Sequence, residues 1–171
     1  MNGFKKGLCK EFMRLIKIIA VGKLKEKYWT QSIAEYVKRL SRFCKLEIIE
    51  VEDEKMPREA NAADIIAGLK LEGDRLKLKI KDRAFVFVLD VQGDAATSER
   101  FAETFRHVVE NNSEVVFIIG GSTGLHPEVL SLANSRISLS KLTFPHQMAR
   151  LILVEQIFRA FKINSNETYH K

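Results

Sequence analysis

Two stretches of this 171-residue chain are almost wholly apolar and of strand length: Ala84-Phe85-Val86-Phe87-Val88-Leu89 and Val115-Val116-Phe117-Ile118-Ile119. A strand with one face in water alternates apolar and polar residues; a strand without polar positions has to be covered on both faces. Such strands belong to a parallel sheet with helices above and below it. The rest of the chain fits that requirement. Residues 14–21 read as a first strand ending at Gly22, Lys45–Val51 as a second, and 136–140 as a short last one. Helical spacing fills the intervals. Tyr28, Ile33, Tyr36, Val37 and Leu40 mark one helix. A long polar helix runs from residue 60 to about 79, with Ile65, Ile66, Leu69, Leu76 and Leu78 as its apolar positions. Thr97 or Ser98 caps a third helix, carrying Phe101, Ala102, Phe105, Val108 and Val109. A short helix starts near Pro127, and Pro145 opens the final one in a first-turn position. Residues 52–57 read as a loop and 90–96 as a turn around Gly93. The expectation is an α/β domain with a mainly parallel sheet flanked by helices.

Composition narrows the setting. Apolar residues make up 46% and charged residues 29%, enough for the core of one domain. No apolar run approaches the roughly 18 residues of a membrane span. The stretch Leu151 to Val154 is closed by Glu155. Glu11 and Arg14 interrupt any signal-like segment after Lys5, Lys6 and Lys10. Cys9 and Cys44 form no CxxC pair, and His107 and His126 have no partner at ligand spacing. Neither a disulfide framework nor a metal site is expected, and the cytoplasm is the expected compartment. Residues 1–12 precede the first strand pattern and read as a disordered extension, with Met13 standing where a start would fall.

The net charge is +6, and it is unevenly spread. Residues 1–80 hold 18 Lys and Arg against 12 Asp and Glu, while residues 81–171 hold ten of each. The excess points to an anionic partner on one side.

In open α/β sheets ligands bind beyond the carboxyl ends of the strands. Three segments qualify: Leu89-Asp90-Val91-Gln92-Gly93, Gly120-Gly121-Ser122-Thr123-Gly124, and the loop 139–146. The glycine segment is neither GxGxxG nor a Walker A loop, and no GxSxG elbow occurs. On the last helix, His146 and Arg150 lie one turn apart on one face, with Glu155 and Arg159 on the opposite one. The first pair suits either a structural or a catalytic role, the second an ion pair. Apolar side chains occupy nearly every direction around this helix, which predicts packing against a second copy of the chain. The ending Tyr169-His170-Lys171 reads as a polar tail or as a stacking and charge-pairing element for RNA.

Taken together, the residues around Leu89-Asp90, Ser98-Glu99-Arg100-Phe101-Ala102, FIIGGSTGL (117–125), SLSKLTFPHQMARLILVEQIFRA (138–160), the closing TYHK and the opening IIAVGKLKEKYW (18–29) resemble the bacterial ribosomal large subunit methyltransferase H family. This is one of the knotted SPOUT methyltransferases. The resemblance runs from Met13 to Lys171, as a single domain. It implies an α/β knot, with a deep C-terminal trefoil, and a homodimer paired through the knot and last helix. It also implies methyl transfer from S-adenosyl-L-methionine to N3 of a pseudouridine in 23S rRNA on the assembled ribosome. Carried over by position, cofactor contacts fall on Leu89, Gly120, Leu139, Ser140, Lys141, Leu142, Thr143 and Phe144. His146, Arg150, Tyr169, His170 and Lys171 become candidates for proton removal and substrate placement. The closing trio would reach into the partner's site. A non-catalytic RNA- or ribosome-binding protein on the same fold, or a methyltransferase of another RNA such as tRNA, are the alternatives. Asn111-Asn112 replaces a common glycine turn, and Lys171 stands where some relatives end in arginine.

Overall fold

The computed structural model describes residues 14–170. The expected extension, Met13 and Lys171 lie outside the described residues. Ten elements follow one another. They are β1 (Leu15–Val21), α1 (Lys27–Leu40), β2 (Lys45–Val51), α2 (Ala62–Lys77), β3 (Phe85–Ala95), α3 (Ser98–Asn111), β4 (Glu114–Ile119), α4 (Pro127–Leu130), β5 (Ser135–Ser138) and α5 (His146–Asn164). The sheet has the order β2-β1-β4-β3-β5, and every described pairing is parallel. All five strands therefore end at one rim.

The two apolar runs form the inner strands β3 and β4, and all six residues of β4 are buried. Strand alternation sorts the side chains into two layers. Ile16, Ile18, Ala20, Phe87, Val115, Phe117 and Ile119 face α1, α3 and α5. Ile19, Val21, Val86, Val88, Val116 and Ile118 face Leu76 of α2 and Val129 of α4. Each fully buried Val, Ile or Phe contributes roughly 1.5–3 kcal/mol. Phe87 and Phe117 stack at 4.9 Å across the β3–β4 pair. At the amino-terminal end of the sheet Lys17 lies buried against Glu114, Nζ to Oε1 2.8 Å.

Two expectations are corrected. Residues 90–96 are not a simple turn, because β3 runs on to Ala95. Its pairing with β5 is interrupted: Leu89 and Asp94 both stand opposite Ile137, so residues 90–93 bulge out between them. Asp and Gly mark a bulge as readily as a turn. Ile66 on α2 and Leu78 just past its end are apolar positions that face solvent rather than the core. The helix is buried through Gly68, Leu69, Glu72, Gly73 and Leu76. Its amino end is closed by a capping box between Asn61 and Asp64, which satisfies two free N–H groups reciprocally.

The last helix lies between α1 and α3 with the sheet beneath it. Arg150, Leu153, Val154, Ile157, Phe158 and Ala160 are buried within the single chain. Met148, Leu151 and Ile152 remain half-buried. No helix among the described residues is long and apolar enough to cross a membrane.

Candidate active site

A cavity of about 850 Å³ opens at the carboxyl rim of the sheet, beside the ends of β4 and β5 and the bulge within β3. It lies between the glycine turn after β4 and the loop joining β5 to α5. The glycine turn closes on itself: Gly121 and Gly124 form an antiparallel bridge, and the Gly124 N–H donates to the Gly121 carbonyl at 3.3 Å. Gly120 begins this turn, and a Cβ there would lie 2.6 Å from the Gly124 carbonyl oxygen. Only glycine fits so tight a return of backbone on backbone. Across the cavity the 139–145 loop is shaped by two serines. The Ser138 hydroxyl donates to the Ser140 carbonyl at 2.9 Å, and the Leu142 N–H donates to Ser140 Oγ at 3.0 Å.

Of the residues expected at a cofactor site, Leu89, Gly120, Leu139, Ser140, Leu142, Thr143 and Phe144 line this one cavity. Lys141 belongs to the same loop but is exposed and stands outside the lining. His146 also lines the cavity, as the first residue of α5. Its ring packs over Gly22, where a Cβ would come within 3.2 Å of Nε2 and where φ is +84°. Burial lowers the imidazole's pKa from its ordinary 6.5, and the nearby Arg150 charge adds to the effect. The ring is accordingly neutral at physiological pH.

Arg150 shares the His146 face but does not reach the cavity. It is fully buried. Its guanidinium donates to Glu50 Oε1 at 2.5 Å and to the Gly22 carbonyl at 3.0 Å. Glu50 Oε1 also accepts the Leu24 N–H at 3.0 Å. Arg150 thus ties α5 to the turn after β1, directly beneath His146. Burial lowers its pKa, and Glu50 opposes that shift.

Tyr169 and His170 stand elsewhere on the chain and are not among the lining residues. The Tyr169 hydroxyl donates to Glu155 Oε1 at 3.1 Å, and its ring meets Phe158 edge-on at 5.0 Å. His170 touches Arg159 Nη1 through Nδ1 at 3.1 Å and Glu99 Oε1 through Nε2 at 2.5 Å. Glu155 and Arg159 pair along the helix at 2.6 Å, holding the tail to its own α5. Burial pushes the Tyr169 hydroxyl's pKa up.

The segment 89–93, which the sequence offers for ligand binding, contributes a residue beyond the expected contacts. Asp90, at the start of the β3 bulge, is among the lining residues. Its Oδ1 accepts the Gln92 N–H at 3.0 Å, and its Oδ2 accepts from Arg136, with Nε at 2.8 Å. Burial works to raise its pKa, but these donors outweigh it and hold the group below the usual carboxylate range. Its position directly after the apolar run 84–89 is the available signal. The partner Arg136, 46 positions away, could not be read from spacing. Among the described residues no cluster of three or more His, Cys, Asp or Glu is placed to hold a metal ion.

A family model described as "Predicted SPOUT methyltransferase" matches residues 13–170. The chain is 50% identical over 157 residues to a ribosomal RNA large subunit methyltransferase H from Levilactobacillus brevis, covering 91% of this chain and 99% of that protein. A protein of the same name from Ligilactobacillus salivarius is 49% identical with the same coverage. A cavity at the carboxyl rim, a glycine turn without room for a side chain, and identity of this extent across nearly the whole chain lead to one assignment: the chain belongs to the ribosomal RNA large subunit methyltransferase H family of SPOUT methyltransferases.

Proposed function

We propose that this protein methylates N3 of a pseudouridine in 23S rRNA on the assembled ribosome, in the cytoplasm, with S-adenosyl-L-methionine as methyl donor. The observation that carries this reading is the convergence of Leu89, Gly120 and the 139–144 loop on one cavity in a chain of this family. The cavity suits the donor. Its volume lies in the range of small-molecule sites, roughly 300–1,000 Å³. Leu89, Leu139, Leu142 and Phe144 offer apolar walls for a purine, the glycine turn offers backbone at close range, and Asp90 offers one carboxylate.

The donor supplies a methyl carbon on a sulfonium, whose S–C bond breaks with its electron pair going to sulfur as the N3–C bond forms. The protein's part is alignment and proton removal. His146 is the proton acceptor in this reading, because it lines the cavity and is neutral. Arg150 acts through it. By holding the Gly22 carbonyl it fixes the floor on which the imidazole rests, and its charge disfavours a standing imidazolium.

The reading also takes the chain to be a knotted homodimer. Met148, Leu151 and Ile152 are the half-buried apolar positions of α5 that a second copy would cover. Tyr169, His170 and Lys171 would then serve the partner's cavity, placing RNA rather than taking the proton. Lys141, exposed beside the mouth, suits a phosphate contact.

The test is methyl transfer from labelled S-adenosyl-L-methionine to ribosomes lacking the modification, with the labelled nucleotide identified by mass spectrometry. Label on N3 of a large-subunit pseudouridine is the expected result. Label on tRNA alone would move the activity to another RNA. Ribosome binding without transfer or donor binding would make the protein a non-catalytic binder.

A further inference from the structure

Among the described residues that line the cavity, two carry titratable side chains: His146, which burial keeps neutral, and Asp90, which Arg136 and the Gln92 N–H keep ionised. Asp90 therefore brings the one formal charge to the lining. Its place is fixed from two sides. The β3 bulge turns the residue out of the ladder opposite β5, and Arg136 of β5 holds its Oδ2. Outside the lining, Lys141 is exposed on the 139–145 loop and Lys25 on the turn after β1. Neither has a lining position.

This inference rests on the proposed donor. That donor and the product it leaves differ at the sulfur, which bears a methyl group and a positive charge before transfer and neither after. Adenine, ribose, ammonium and carboxylate are common to both. A contact to any of those parts binds the two equally, and the apolar walls barely separate a sulfonium from a thioether. A fixed anion in a partly dehydrated cavity does separate them, since unit charges a few ångströms apart attract far more strongly there than in water.

We propose that Asp90 is the residue that discriminates the cationic methyl donor from the neutral spent cofactor, and so sets how readily the product leaves. Arg136 has two effects in this arrangement. It holds the carboxylate in place, and by partly neutralising it limits the preference. Arg136 itself is exposed, so water screens its own charge more than that of the half-buried Asp90.

The test is calorimetric titration of the whole protein, without RNA, with three ligands. They are S-adenosyl-L-methionine, S-adenosyl-L-homocysteine, and an analogue bearing a protonated amine in place of the sulfonium. Asp90→Asn keeps the side chain's shape and an oxygen for the Gln92 N–H. It is expected to weaken the two cationic ligands about tenfold and the neutral one less than twofold. Arg136→Gln frees the carboxylate and is expected to shift the ratio the other way, about threefold; it also serves if Asp90→Asn does not fold. Equal weakening of all three ligands in Asp90→Asn would show a contact to their common parts or a role in loop shape, and would overturn the proposal. So would an unchanged ratio in Arg136→Gln. If the wild-type protein bound none of the three, the donor itself would be wrong and this inference would go with it. Binding with an unmoved ratio removes the inference alone.

Discussion

A methyl group at position 120 would stand 2.6 Å from the Gly124 carbonyl oxygen and 2.9 Å from the Leu125 side chain. The obstacle is mostly backbone and cannot rotate away. Gly120→Ala must open the glycine turn into the cavity, and overpacking of this kind costs roughly 1–3 kcal/mol. We expect native-like circular dichroism with donor affinity reduced at least about tenfold; unchanged affinity in a titration would show that the turn does not shape the binding surface. His146 gives a second prediction at this scale. Its pKa in the folded protein lies below the ordinary 6.5. Between those two values the unfolded chain holds more protons at this site than the folded one. Its contribution to stability is present in full above pH 6.5 and lost as pH falls through the folded value. Urea denaturation as a function of pH should show wild-type stability declining below about 6.5, with a shallower decline in His146→Gln. Identical slopes would mean the ring is not shifted. Sequence placed His146 and Arg150 on one face, and they are one turn apart. It could not say that the longer side chain would turn under the loop to Glu50 while the shorter one stays at the cavity, because that depends on where Gly22 and Glu50 lie in space.

At the scale of elements, the tail is the segment whose position in one chain and whose proposed task differ most. Tyr169 and His170 are anchored by Glu155, Phe158, Arg159 and Glu99, on α5 and α3. In these contacts Tyr169 and His170 take no part in lining the cavity of their own chain. Deleting residues 169–171 should reduce methyl transfer to ribosomes about 100-fold through lost positioning, with donor affinity held within about twofold. Full activity of the truncated protein would remove the tail from the mechanism. The elements themselves were readable wherever burial is symmetrical. β4 is buried along its whole length and read as such, whereas β3 was cut short because Asp90 and Gly93 carry turn chemistry inside a strand. Around α2 the apolar residues Ile66 and Leu78 face solvent, whereas Leu69 and Leu76 are buried as their spacing suggests, and Gly68 and Gly73, which carry no side chain, bring the helix close to its neighbours.

For the whole molecule, the all-round apolar character of α5 is largely answered within one chain, because α1, α3 and the sheet surround it. The proposed second copy would cover the half-buried stripe of Met148, Leu151 and Ile152. Sedimentation should nevertheless give about twice the 19.6 kDa chain mass, and a folded, active monomer would exclude the dimer. The α/β architecture was legible from the rhythm of strands and helices. The strand order β2-β1-β4-β3-β5 was not, since rhythm does not say which strands become neighbours. That order bears on how the protein is made. β1 and β2 leave the ribosome early and can pair at once, but the other edge of β1 is reserved for β4, which ends at residue 119. At roughly 5–20 residues per second, the wait from the end of β2 to the end of β4 is roughly 3–14 s. For that time an apolar strand edge stays open on the nascent chain, so demand for chaperone cover should fall within this interval of synthesis.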